Sequence, residues 1–444
     1  MACATALLPR SWDGEAVPVL AGGYVESEYL LLGSALSYTG PVNGPVTAAR
    51  AAGPYVTRIL VRYPGSPADF SGRVVIEPFN TSFGVDRDAL WARVGGLLQA
   101  EGDGWVGVTT RAMGAAELRK FDPVRYADID FPANDLGWDT LRQLGSLIKA
   151  DAGENPFGQL DVRQIYLGGY SQSAVDVATF AIAFNDGARL PDGSPVFDGY
   201  FPAAHAASCA AIASGDAWRP DMEYLPVRDI GVPVIEVQPH SDVEGFAAKI
   251  GSVTFVNPGS AYVRRPDSDH PRDRYRLYEL AGAPHAVQLD GCGAASTFPT
   301  SAFLRAALRL LYRWVEDAIP PPRTPRISVQ NYGVVSVARI DRYGNPLRGL
   351  RAPHLDVPLL RYEAHSTPGP MCQLAGRETV LPIAELVARY GSLSRYLSEF
   401  TAALDAVIDA QFLLPADREA ILHDVTELAQ SAFDAADYQE VLIP

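Results

Sequence analysis

Residues Gln164 to Ala174 read "QIYLGGYSQSA". A strand-like apolar run ends in two glycines, and a tyrosine, a serine and a helix-like segment follow. A serine on a sharp strand-to-helix turn projects above the sheet edge, where it can act as a nucleophile. The usual spacing for that turn is G-x-S-x-G. Gly169 stands two residues before Ser171, but Ser173 replaces the second glycine. A small-residue turn whose serine only caps a helix gives the same letters, so the surroundings must decide.

The segments on either side alternate between strand and helix. Before the turn come "YLLLGSALSY" (Tyr29 to Tyr38), "YVTRILVRYP" (Tyr55 to Pro64), "RVVIEP" (Arg73 to Pro78) and "WVGVTTR" (Trp105 to Arg111). After it come "FDGYFPAA" (Phe197 to Ala204), "PVIEVQPH" (Pro233 to His240) and "YRLYELAG" (Tyr275 to Gly282). With "QIYLGGY" these make eight expected strands. Only a turn-rich stretch joins the first two, which predicts an antiparallel pair. Helical segments at residues 88–102, 135–151, 173–186 and 301–318 predict parallel crossovers among the rest. This is the order of an α/β-hydrolase core: an α/β fold with a mostly parallel eight-stranded sheet flanked by helices.

"IPPPRTPR" (Ile319 to Arg326) cannot continue a helix, because proline lacks the N–H and restricts the residue before it. It divides residues 1–318, the core, from residues 319–444, a C-terminal extension of loops and then helices. The extension has no strand alternation of its own and is expected to pack on the core within one unit. Residues 205–230, between the sixth and seventh strands, read as a lid insertion. Trp218, Tyr224 and Tyr362 are aromatic residues suited to line a pocket or to fill a core.

A serine hydroxyl is a weak nucleophile at neutral pH and needs a base held by an acid. In this fold the chain order is Ser, Asp or Glu, then His. His285, in "ELAGAPHA", follows the last strand on a tight loop opened by Gly282, and is the expected base. His240 and His270 fit less well, the first at the end of a strand and the second in a polar run. His205 follows the sixth strand and reads as a hydrogen-bonded loop or lid histidine, and His354, His365 and His423 lie beyond the core. The acid belongs after the seventh strand, in "VPVIEVQPHSDVEG"; Asp242 is expected, with Glu244 as its competitor. The oxyanion hole needs the N–H of the residue after the nucleophile, Gln172, and one from the loop after the third strand, where Asn80 or Thr81 can supply it.

"VVIEPFNTSFGVD", "FDPVRYADI", "IYLGGYSQSA", "VPVIEVQPHSD", "YELAGAPHA", "YGNPLRGLRAPHLDVP" and "MCQLAG" occur in that order. Together they resemble the large α/β-hydrolase-domain family whose members carry G-x-S-Q-S at the nucleophile. The resemblance runs over roughly residues 20 to 440, extension included. It implies that Ser173 fits the family pattern, that Ser171, Asp242 and His285 form the triad, and that the chemistry is of esterase type. The family's third-strand segment usually carries Trp-Leu-Asn, whereas this chain has Pro78-Phe79-Asn80.

Composition narrows the alternatives. The 444 residues are 48% hydrophobic and 20% charged, enough for a sizeable core. A net charge of −15 argues against nucleic acid and anionic membranes as partners, since both need clustered basic residues. The N-terminal "MACATALLPRSW" makes a poor signal peptide, and no stretch has the roughly 18 consecutive apolar residues of a membrane span. A cytoplasmic protein is expected. Cys3, Cys209, Cys292 and Cys372 form no C-x-x-C pair; they read mainly as buried thiols, with a Cys292–Cys372 bridge left open. No metal-binding or dinucleotide motif is present, so no metal and no cofactor are expected. The leading expectation is a serine hydrolase acting on a small-molecule carboxylic ester. Acyl transfer or lactone processing with the same triad, and a non-catalytic binding protein on the same scaffold, are the alternatives. Homo-oligomerisation is left open.

Overall fold

Short apolar runs buried end to end are the mark of strands covered on both faces. The computed structural model describes residues 20–150, 154–158, 160–216, 223–250, 253–332, 335–366 and 370–440. Its main sheet contains eight principal strands: β1 Tyr24–Thr39, β2 Thr47–Pro64, β3 Arg73–Pro78, β4 Gly104–Val108, β5 Gln164–Tyr170, β6 Gly199–Ala203, β7 Val234–Pro239 and β8 Asp273–Ala281. They lie in the order β1-β2-β4-β3-β5-β6-β7-β8. Strands β3 to β8 pair in parallel, and β2 runs antiparallel to both β1 and β4. All eight occur where the sequence placed them. Ser268–His270 extends the β8 edge, and Leu350–Arg351 of the C-terminal extension pairs in parallel with the end of β8.

The period-two alternation of a strand sends neighbouring side chains to opposite faces. Val75 and Val237 accordingly join one core, while Val74, Ile76 and Val234 join the other. Helices α1 Trp91–Glu101 and α5 Thr300–Glu316 cover the first face. α3 Gly137–Lys149 and α4 Gln172–Ala183 cover the second. Between α1 and α3 in sequence, α2 Ala112–Phe121 was not foreseen. It buries only Gly114 and Ala115, so its letters carry no apolar stripe to read.

The extension begins with the prolines and short strand pairs, Val329–Tyr332 with Val335–Ala338 and Leu360–Glu363 with Arg377–Val380. Helices α6 Ile383–Tyr390, α7 Leu393–Asp409 and α8 Arg418–Glu440 follow. Tyr396, Phe400 and Leu404 share a buried cluster with Phe303, Leu311 and Trp314 of α5. Cys292 and Cys372 form a disulfide, which the sequence had left open, while Cys209 is a buried thiol. Between β6 and β7, Cys209, Ala210, Ile212 and Val227 are buried in the second core. Trp218 lies outside the described residues, as do Cys3 and the rest of the N-terminal stretch read for a signal peptide. Tyr224 is half-buried, and Tyr362 is core, packed edge-on against Phe298 and His354.

Candidate active site

The turn at the end of β5 is tight enough to force its own sequence. Ser171 has φ 62° and ψ −125°, in a region that L-residues rarely enter, and α4 starts at the next residue. A Cβ at Gly169 would lie 2.6 Å from the backbone carbon of Ser173, so no larger residue fits there. Ser173 is fully buried. Its hydroxyl accepts from the Tyr170 N–H and donates to the Tyr170 carbonyl, both at 3.0 Å. Asn80 Nδ2 donates to the same carbonyl at 3.1 Å. The serine in place of the expected glycine therefore closes the turn with its own side chain.

His285 hangs from the loop after β8, which leaves the sheet through Gly282 at φ 85°. Asp242 sits in a single helical turn, His240–Val243, directly after β7. Because β7 and β8 are neighbours in the sheet, these two residues meet above its edge, and β5 brings Ser171 beneath them. Ser171 Oγ lies 2.9 Å from His285 Nε2, and His285 Nδ1 lies 3.0 Å from both carboxylate oxygens of Asp242. All three are buried, at 4 to 6% exposure. The Tyr170 hydroxyl donates to the His285 carbonyl at 2.6 Å, and the Arg93 guanidinium lies 3.5 Å from the centre of the Tyr170 ring.

Glu244, the competing acid, has both oxygens committed elsewhere. Oε1 accepts from His240 Nε2 at 3.0 Å and from the Ala338 N–H at 2.6 Å, and Oε2 lies 3.2 Å from His365 Nε2. His205 is buried beside Gln238, His270 is exposed on the edge strand, His354 is buried among aromatic rings, and His423 is on the surface.

The loop after β3 holds both oxyanion candidates. The Asn80 N–H donates to the Arg87 carbonyl within an antiparallel bridge. Ser82 N–H is likewise taken by Asn80 Oδ1. Thr81 is the residue that faces the turn. Its N–H donates to Gln172 Oε1 at 2.7 Å, and its hydroxyl reaches the same atom at 3.1 Å. The Gln172 N–H opens α4, where the first N–H groups have no acceptor within the helix.

Beneath this loop, Glu77 accepts from the N–H groups of Leu90 and Trp91 and from the Trp105 indole. Its complete burial outweighs those bonds and pushes its pKa up to about 8. Among the described residues, no group of three or more His, Cys, Asp or Glu side chains could hold a metal ion. Nor is any described helix long and apolar enough to cross a membrane.

The family model for the alpha/beta hydrolase domain matches residues 9–423. The chain belongs to this family. The match takes in most of the extension, so the family's domain includes the segments that follow the prolines. No curated protein matches the chain. Among solved structures, a lidless serine hydrolase from Xanthomonas campestris is 15% identical over 64% of this chain and 95% of its own, with a TM-score of 0.31. A serine hydrolase homologue from Coxiella burnetii is 13% identical over 48% of this chain and 73% of its own, with a TM-score of 0.26. Brefeldin A esterase, a bacterial homologue of human hormone sensitive lipase, is 15% identical over 44% of each chain, also at 0.26.

Proposed function

We propose that this member of the family is a serine hydrolase that cleaves a small-molecule carboxylic ester through an acyl-enzyme. The observation that carries the reading is the unbroken line from Ser171 Oγ through His285 to the Asp242 carboxylate, at 2.9 and 3.0 Å. These are the distances a base needs to take a hydroxyl proton. Ser171 Oγ attacks the ester carbonyl carbon as its proton passes to His285 Nε2. Asp242, accepting from Nδ1, fixes the tautomer and stabilises the imidazolium. The negative oxygen of the tetrahedral intermediate takes the Gln172 N–H and the Thr81 N–H, the latter given up by Gln172 Oε1. Collapse expels the alcohol, which leaves with the proton from His285. Water then attacks the acyl-Ser171 carbonyl, giving its proton to the same nitrogen; collapse breaks the bond to Ser171 Oγ, which takes that proton back, and the carboxylic acid departs.

A panel of p-nitrophenyl esters of rising acyl length tests the reading and sizes the acyl pocket. Hydrolysis by the wild type that falls to background in Ser171→Ala and His285→Ala is expected. No hydrolysis across the panel, or equal hydrolysis by Ser171→Ala, would sink it.

A further inference from the structure

The connection between Leu360–Glu363 and Arg377–Val380 reaches both halves of the acid–base pair. On one side stands His365, whose Nε2 makes the 3.2 Å ion-pair contact with Glu244, two residues after Asp242 in the same turn. His365 Nδ1 faces the Gln373 carbonyl, so this nitrogen carries a proton and donates. Burial works against a charged ring, yet Glu244 and that carbonyl raise the His365 pKa above its ordinary value. Burial likewise opposes the charge on Glu244. The His240 and His365 rings and the Ala338 N–H nevertheless hold its carboxyl well below the usual carboxylate range. This contact ties the acid turn to the extension.

On the other side is the loop that carries His285. From Ala286 to Pro299 it contains neither helix nor strand, so no local ladder fixes where the imidazole hangs. Its position is set from outside. The Ala286 N–H donates to the Leu374 carbonyl at 2.9 Å, and Ala286 forms a parallel bridge with Ala375. Ser366 Oγ donates to the Cys292 carbonyl at 3.1 Å, and the Cys292–Cys372 disulfide makes the tie covalent. Cys292, Cys372, Ala286 and Ala375 form a small buried cluster apart from the two main cores.

We infer that His365 and the Cys292–Cys372 bridge act together as a bracket that sets Asp242 against His285, with His365 the positioning residue for the acid turn and the disulfide the tie for the base loop. The inference rests on the triad reading above, and its test separates the two. The His285 Nδ1–Asp242 hydrogen bond gives a downfield proton resonance whether or not the protein turns over an ester, and His285→Ala assigns it. The resonance is compared in wild type, His365→Phe, His365→Gln and the double variant Cys292→Ser/Cys372→Ser. Alongside it, the rate of fluorophosphonate labelling of Ser171 is measured.

The expected result is a resonance lost or broadened in His365→Phe and in the cysteine variant. Labelling slows on the order of 10- to 100-fold in both, the cost of a misplaced catalytic group. His365→Gln, which keeps a donor, recovers part of each. A wild-type resonance and labelling rate in either His365→Phe or the cysteine variant overturns the bracket. A wild type that shows the resonance but never labels overturns the hydrolase reading and leaves the bracket to be judged on the resonance alone. Should His365→Phe fail to fold, the cysteine variant and His365→Gln decide.

Discussion

Ser171 sits at a backbone conformation that only its surroundings can hold, and the surroundings are Tyr170 and Ser173. Both polar groups of the Tyr170 backbone are bonded by Ser173 Oγ, and the Tyr170 hydroxyl reaches over to the His285 carbonyl. Tyr170→Phe deletes that last bond and leaves a buried carbonyl unpaired, at a cost of about 1 to 2 kcal/mol. If it falls on the placement of His285, kcat on a p-nitrophenyl ester drops about tenfold with KM little changed. Wild-type kcat in Tyr170→Phe contradicts this role. The three residues now found in line were legible because chain order and strand ends restrict where each can stand. The choice of acid was not legible from the turn itself, since Asp242 and Glu244 are two residues apart. Glu244 is held by His240, by the Ala338 N–H and by His365, the last two brought in from the extension. The partners of the Asn80 and Thr81 N–H groups, the Arg87 carbonyl and Gln172 Oε1, were not legible either.

Among the elements, the six parallel strands and their covering helices were readable because burial on both faces leaves runs of apolar residues. α2 was not, since its packing face is glycine and alanine. The single helical turn Pro353–Asp356 was not either, and it carries His354. That imidazole is enclosed by Phe298, Tyr362 and Phe400, and burial pushes its pKa down to about 4. In the unfolded chain it takes up a proton near pH 6.5; in the folded protein it resists until about pH 4. The stability it contributes is therefore present above pH 6.5 and is lost as the pH falls toward 4, by up to about 3 kcal/mol. Melting temperatures from pH 7 to pH 5 should fall more steeply for the wild type than for His354→Phe. Parallel curves would show that His354 is not the titrating group.

At the scale of the molecule, the ties between the segments before and after the prolines were not legible. Leu350–Arg351 adds to the β8 edge, α7 packs into the cluster that holds α5, and a disulfide joins residues 80 apart in sequence. Four cysteines without close pairing give no spacing from which to choose a bridge. Such a bond persists in oxidising compartments and is rare in the cytosol. Loop-closure entropy over that separation gives a stabilisation of up to about 4 kcal/mol. Denaturant titration of Cys292→Ser/Cys372→Ser should find a loss of that order, and an unchanged midpoint would mean the unfolded chain is not constrained by the bridge.

The proposed chemistry turns on one atom, Ser171 Oγ, held 2.9 Å from His285 Nε2 at the end of a parallel sheet. Treatment with a fluorophosphonate, followed by intact-mass measurement and peptide mapping, tests it directly. The account predicts one adduct per chain, on the peptide containing Ser171, and none on Ser171→Ala. An unlabelled wild type, or an adduct that survives Ser171→Ala, would contradict it.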